Sequence, residues 1–294
     1  MAKIMKHHNI GGVLFVIPSI LVLVLLMTYP LIYTFFISLN KSNIFSQTLK
    51  YVGISQYLEL FKDPVFILSI KNTLVWTFSC VLFQFVLGFI AAITLNQNFI
   101  KVKALWRIIL LVSWVTPSIV CVMVWKWMFH ADFGIVNAIL KSLGIISENI
   151  SWLAGVNTAF PSVIVVNVWK MFPFVILMIE AALQGVSKEL QDSARIDGAN
   201  SINTFLYVTI PHIRATCIIV ILLLTIWALN AFTFIFVLTR GGPIHKSEIG
   251  SMFIYKAAFI NYNFGIGSAA GTILFLITAI FSIIYMKVFF RRQD

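Results

Sequence analysis

The chain has 294 residues, of which 60% are apolar and only 11% charged, and its mean hydropathy is +0.98. Soluble domains carry about a quarter charged residues, so this composition excludes a cytosolic enzyme, a secreted domain and a disordered tail. The net charge of +11 comes from basic residues placed between apolar runs, which fits membrane topology and anionic lipid headgroups rather than nucleic acid.

A hydrocarbon core about 30 Å thick takes about 20 helical residues to cross. Six stretches are that long, at roughly 13–37, 73–95, 108–129, 160–181, 215–239 and 266–286. They are continuous, whereas barrel strands alternate over about ten residues, so the expected fold is all-α and polytopic. The first run exceeds the 7–15 apolar residues of a signal peptide and reads as an uncleaved anchor. Pro117 and Pro173 fall inside the third and fourth runs and mark kinks, which lipid tolerates only against protein or a cavity. Lys126, Lys170 and Glu180 read as span-end residues whose charges snorkel to the interface.

An even number of spans puts both termini on one side. Basic residues divide almost evenly between the two sides, so local density decides. The short connector after the second span concentrates Lys101, Lys103 and Arg107, and the C-terminal tail carries Lys287, Arg291 and Arg292. Both termini are therefore expected in the cytoplasm.

Residues 184–211 are hydrophilic and too long for an ordinary helix–helix connection of 2–8 residues. Ser187 suits the N-cap of a short helix, with Glu189 favourable in its first turn. Leu190, Ala194 and Asp197 then share a face. Gly198 suits a left-handed C-cap. Ser201 suits the cap of a second helix, which Pro211 is expected to end or kink. Small residues at the apex (Ser193, Ala194, Gly198, Ala199) leave room for another protein's surface; the plainer alternative is a connector between spans.

This segment resembles the EAA loop of bacterial ABC importer permeases, whose pattern is E-A-A, three residues, G, nine residues, I-x-L-P. Here Asp192-Ser193-Ala194 stands six residues before Gly198, and Val208-Thr209-Ile210-Pro211 begins ten after it. The literal Glu180-Ala181-Ala182 has its next glycine one residue too close and reads as the end of the fourth span. The likeness continues along the chain in Tyr51-Val52-Gly53, Asp63-Pro64, Asn72-Thr73, the run from Phe133 to Asn137, Ile196-Asp197-Gly198-Ala199, Leu238-Thr239-Arg240-Gly241-Gly242-Pro243 and the run from Phe264 to Ala269. These strings are similar to the carbohydrate-uptake branch, related to maltose and glycerol-3-phosphate importers. Arg240 stands where that branch has glycine.

The resemblance implies a type I ABC importer permease fold with six transmembrane helices in a bacterial inner membrane. It implies three parts: an N-terminal helix and outer loop (1–71), a five-helix core with the EAA loop (72–287), and a cytoplasmic tail (288–294). It also implies a second permease subunit, two ATP-binding subunits and an extracytoplasmic solute-binding protein. The chain has no G-x-x-x-x-G-K-[ST], so ATP and Mg²⁺ belong to the partner ATPase, with no cofactor and no catalysis expected here. Asp192, Ser193, Ala194, Asp197, Gly198, Ala199 and Pro211 would then form the coupling element. On the fifth span, Trp227, Asn230 and Phe234 recur at i, i+3, i+7. An aromatic platform beside an amide suits a neutral sugar, whereas an anion would want Arg or Lys at that depth.

Other classes fit less well. Cys80, Cys121 and Cys217 form no C-x-x-C pair, and the histidines at 7, 8, 130, 212 and 245 lack metal-ligand spacing. An ion-coupled secondary transporter is the main alternative. It would need ionisable groups near midplane, and the second, fifth and sixth runs have none in their interiors.

Overall fold

The computed structural model describes residues 10–42, 49–97 and 99–290, with side-chain environments for 15–289 within them. Lys3, Lys6, His7, His8, Arg291 and Arg292 lie outside these ranges. The chain divides into two compact units, Met1–Lys62 with Ile254–Ile273, and Asp63–Phe253 with Leu274–Asp294.

In the first unit, helix α1 spans 10–38 and widens to a π-turn over Val24–Thr28 just ahead of Pro30. Prolines lack an N–H and crowd the preceding turn, and a wider turn absorbs both effects. The most apolar 18-residue window of α1 is exposed throughout, as suits a helix solvated by lipid. Beyond it, Asn40–Lys41 (β1) pairs antiparallel with Lys50–Tyr51 (β2), and α2 follows at Ser55–Leu60. Buried Gln56 ties this corner together by donating to the carbonyls of Ser38 (2.8 Å) and Asn40 (3.0 Å). Gly265 lies against Gln56, and a Cβ there would sit 2.8 Å from the Asn40 carbonyl. The close approach accounts for glycine in the run from Phe264 to Ala269.

In the second unit, α3 (Pro64–Asn96) starts at Asp63, whose carboxylate accepts from the Val65 and Phe66 amides at 2.8 and 3.4 Å. Next come α4 (Lys103–Val115), α5 (Ser118–Met128) and α6 (Ile135–Ser142). Helix α7 (Ala159–Gln184) is followed by α8 (Lys188–Ile196) and α9 (Ser201–Leu229). Helix α10 (Thr233–Leu238) also lies in this unit, whereas α11 (Gly250–Ile260) and α12 (Phe264–Phe290) each have residues in both units, since Ile254–Ile273 belongs to the first. Helices α3 and α7 pack along each other. A Cβ on Gly88 would meet the Val175 side chain at 2.5 Å and the Phe172 carbonyl at 2.6 Å, so only glycine permits this approach. Ala92, Val175, Ile176, Ile179, Ile213, Val220 and Leu224 form the core between α3, α7 and α9. Asn72 on α3 grips the 245–248 loop, donating to the carbonyls of His245, Lys246 and Glu248, and Thr73 accepts from the Gly250 amide at 2.8 Å. That grip gives the Asn72-Thr73 string its structural reason.

Three expectations from the sequence need correction. The third span is not one helix: α4 and α5 meet at a 95° bend, so the described residues contain five unbroken spans, or six if the bent pair counts as one. The fifth span starts at Ser201, inside the hydrophilic segment, and stops at Leu229. Pro211 neither ends nor kinks a separate helix. A π-turn over Phe205–Thr209 precedes it, and α9 runs through.

Candidate coupling loop and translocation cavity

The loop after α7 takes its shape from local capping. Ser187 accepts from the Leu190 amide at 3.3 Å and starts α8, as expected. Gly198 ends it with φ +86°, a left-handed conformation that costs other residues about 1–2 kcal/mol. Among the described residues, its two chain neighbours aside, nothing lies within 4 Å of where its Cβ would be, so the backbone rather than crowding calls for glycine. The second helix is capped by Asn200, not Ser201: the Asn200 side chain accepts from the Asn203 amide at 2.8 Å.

The expected coupling residues cluster at this apex. Asp192, Ser193, Asp197 and Gly198 are exposed, and Ala194 and Ala199 are half-buried. Leu190 shares the α8 face with Ala194 and is exposed. Asp192 and Arg195 form an exposed ion pair at 3.2 Å, a contact of at most about 1 kcal/mol. The coupling set read from the sequence left out Ile196, which is 87% exposed, and Ile202 at 68%. These are the apolar residues a docking partner would cover. Beside the loop, Asn96, Gln97, Lys188, Gln191, Asp192 and Arg195 line part of a polar cleft of about 790 Å³. Pro211 sits apart from the apex, within α9.

The three expected path residues come together, but not on one helical face. Helix α9 ends at Leu229, Asn230 is its C-cap, and Phe234 belongs to α10. All three line one cavity of about 240 Å³, with Gln84, Asn167, Met171, Leu224 and Thr233 among its other walls. The break gives the cavity its roof and frees backbone carbonyls, which hydrocarbon cannot satisfy. Ala228 O accepts from the Ala231 amide and from the Trp76 indole, both at 3.1 Å, and the Ser251 hydroxyl donates to Ala231 O.

Within the cavity Trp227 is 42% exposed and stands edge-on to Phe174, ring centroids 4.9 Å apart. The Asn230 amide donates back to Ile226 O at 2.8 Å, which keeps its carbonyl oxygen for a ligand. Gln84 donates to Asn167 Oδ1 at 2.7 Å. Gln84 Oε1 and Asn167 Nδ2 make no hydrogen bond within the described residues, so the pair still offers one acceptor and one donor. Among the described residues, no ionisable side chain lines this cavity. The sequence did not single out Gln84 and Asn167, although two amides inside apolar runs were a usable signal.

Two of the three charges in the third and fourth spans, Lys170 and Glu180, differ from expectation, while Lys126 is exposed. Lys170 does not snorkel: it is 4% exposed, and its ammonium donates to the carbonyls of Ser113 (3.0 Å), Trp114 (2.6 Å) and Thr116 (2.5 Å). Glu180, 5% exposed, is held by the Arg107 guanidinium through Nε and the terminal nitrogen at 3.0–3.1 Å. Lys126 reaches the Val237 carbonyl at 3.4 Å. Among the described residues, no three His, Cys, Asp or Glu side chains cluster as metal ligands.

The family model described as the binding-protein-dependent transport system inner membrane component matches residues 84–294. The chain is 33% identical over 286 residues to the trehalose/maltose transport system permease protein MalF of Thermococcus litoralis, covering 96% of this chain and 95% of that protein. It is 29% identical over 286 residues to the sulfoquinovosyl glycerol transport system permease protein SmoG of Agrobacterium fabrum, covering 96% and 91%. Among solved structures, a bacterial ABC transporter involved in the import of the acidic polysaccharide alginate contains a chain that superposes with a TM-score of 0.83 at 21% identity, covering 96% of this chain and 95% of that one. The chain belongs to the binding-protein-dependent transport system inner membrane components, and it is a multi-pass permease subunit with the type I ABC importer fold.

Proposed function

We propose that this chain forms the translocation path of an ATP-driven importer of neutral sugars. It works with a second permease subunit, two ATP-binding subunits that hold ATP and Mg²⁺, and an extracytoplasmic solute-binding protein. Residues 184–211 dock in a cleft of the ATPase, with Asp192, Ser193, Ala194, Asp197, Gly198 and Ala199 at the contact, while Pro211 lies ten residues into the fifth span and acts only through the helix that carries the loop. Both termini face the cytoplasm on this reading, because the loop must meet an ATPase. The division into anchor (1–71), core (72–287) and tail (288–294) goes with it.

One observation carries the substrate class: the cavity at the broken end of α9 offers an exposed indole and several side-chain amides with no ionisable wall. Sugars present C–H faces for aromatic rings and hydroxyls for amides, and an anion in this wall would lack a counter-charge. Broken helices at membrane depth are where transporters place their ligands. The Thermococcus relative, a trehalose/maltose transport system permease, points the same way. The test is uptake by the reconstituted complex of labelled trehalose and maltose against a phosphorylated sugar. Preference for the phosphorylated compound would overturn the class.

A further inference from the structure

Helix α7 contains two ionisable residues, Lys170 and Glu180, and both are committed to α4. The commitments fall at opposite ends of α4. At its start, Arg107 grips Glu180 through a forked set of hydrogen bonds. At its end, the helix runs into Pro117, which has no N–H to give the Ser113 carbonyl four residues back. The bend then leaves further carbonyls without their helical donors. An ammonium has three N–H donors, and Lys170 gives them to three of these carbonyls, Ser113, Trp114 and Thr116. The two ties are separated by about 15 Å along α7, at 1.5 Å per residue. Ionisable groups at this depth are costly and are kept where they serve function.

The order of residues along α7 gives the ties their use. Asn167, in the cavity wall, lies one turn before Lys170, and the coupling loop begins one turn after Glu180. We propose that α4 and α7 are locked by these ties into one rigid lever, which carries displacement of the coupling loop to the cavity wall. The α4–α5 bend is then where the membrane segment flexes. Lys170, Arg107 and Glu180 are its positioning residues. The proposal rests on the importer reading above.

The experiment uses the whole complex in nanodiscs, with Cys80, Cys121 and Cys217 replaced by alanine. Spin labels are placed at the exposed positions Ile109 and Val165, across the ties, and at Ile109 and Met123, across the bend. Distances are compared between the resting and the ATP–vanadate-trapped states. A rigid lever keeps the Ile109–Val165 distance and changes Ile109–Met123. A change in Ile109–Val165 on trapping, or no change across the bend, overturns the proposal. In parallel, Arg107→Glu and Glu180→Arg should each lower trehalose carried per ATP by about tenfold, and the double swap should restore it. A swap no better than assembled single variants also overturns the proposal. If those variants do not assemble, the distances in the otherwise native complex decide. A native complex that hydrolyses ATP without carrying any sugar sinks the importer reading and leaves the lever to the distance measurement.

Discussion

Gln84 on α3 donates its side-chain amide to Asn167 Oδ1 on α7 at 2.7 Å, and both residues are buried at the level where α9 breaks. In hydrocarbon such a bond is worth about 0.6 kcal/mol on average, modest beside the packing of two long helices. Its greater value is positional, because it orients two amides toward the cavity. Gln84→Leu and Asn167→Leu should therefore leave assembly intact and raise the apparent KM for the transported sugar by about tenfold, the scale of one lost hydrogen bond to a ligand plus an unpaired partner. Unchanged KM in both variants would reduce the pair to helix–helix glue.

Gly88 permits the close approach of α3 and α7, with Val175 and the Phe172 carbonyl standing where a Cβ would go. Gly88→Ala must push the helices apart along their core. The expected cost is about 1–3 kcal/mol, the usual scale of overpacking. Thermal unfolding of the purified subunit in detergent should show a clear drop, and an unshifted transition would mean that the helices separate freely.

Gly198 needs its left-handed backbone but has open space around it. The two properties can be separated by substitution. Asparagine tolerates φ > 0 whereas β-branched residues do not, so Gly198→Asn should keep most binding-protein-stimulated ATP hydrolysis and Gly198→Val should lose it. A tryptophan at Ala194 should abolish stimulation by blocking the docking face. Full stimulation in both the Gly198→Val and Ala194→Trp variants would remove this apex from coupling.

Topology gives a fourth expectation. Single cysteines at Lys101 and Arg195 should resist a membrane-impermeant maleimide in intact cells, while those at Lys50, Lys141 and Lys246 should react. Labelling of position 195 from outside would end the coupling reading, since no cytoplasmic ATPase could reach it.

Hydropathy and local capping chemistry made much of this fold legible. The apolar runs located the spans because lipid demands about 20 apolar residues each, and Ser187 and Gly198 announced the ends of α8 through side-chain and backbone preferences read within a few residues. What escaped was decided at long range. Lys170 and Glu180 passed for span-end charges because their partners, Ser113–Thr116 and Arg107, lie more than fifty residues away in sequence. The stop at Leu229 carries neither Gly nor Pro; beside the local Ala231 amide, Ala228 O is met by Trp76 from another helix, and Ser251 takes Ala231 O. Asn200 and Ser201 are both capable caps, and only the extended backbone at Asn200 chose between them.

The last expectation concerns the residues the sequence did single out on the path. Trp227 offers an exposed indole face, and Asn230 has its donor tied to Ile226 O with its carbonyl oxygen uncommitted. If both meet the sugar, they do so by different chemistry, and their losses should differ. Trp227→Ala removes a stacking platform worth about 1 kcal/mol or more, so every sugar tested should weaken, and Trp227→Phe should recover part of the loss. Asn230→Ala removes one acceptor, so it should discriminate among sugars by whether the hydroxyl it meets is present; a set of deoxy analogues of the transported sugar read by uptake competition would identify that hydroxyl. Both variants must assemble with the partner subunits at native levels for the comparison to count. Unchanged affinity and rate in both would take these residues off the path, and a uniform loss at Asn230 across all deoxy analogues would assign it to holding the α9 break rather than to the ligand.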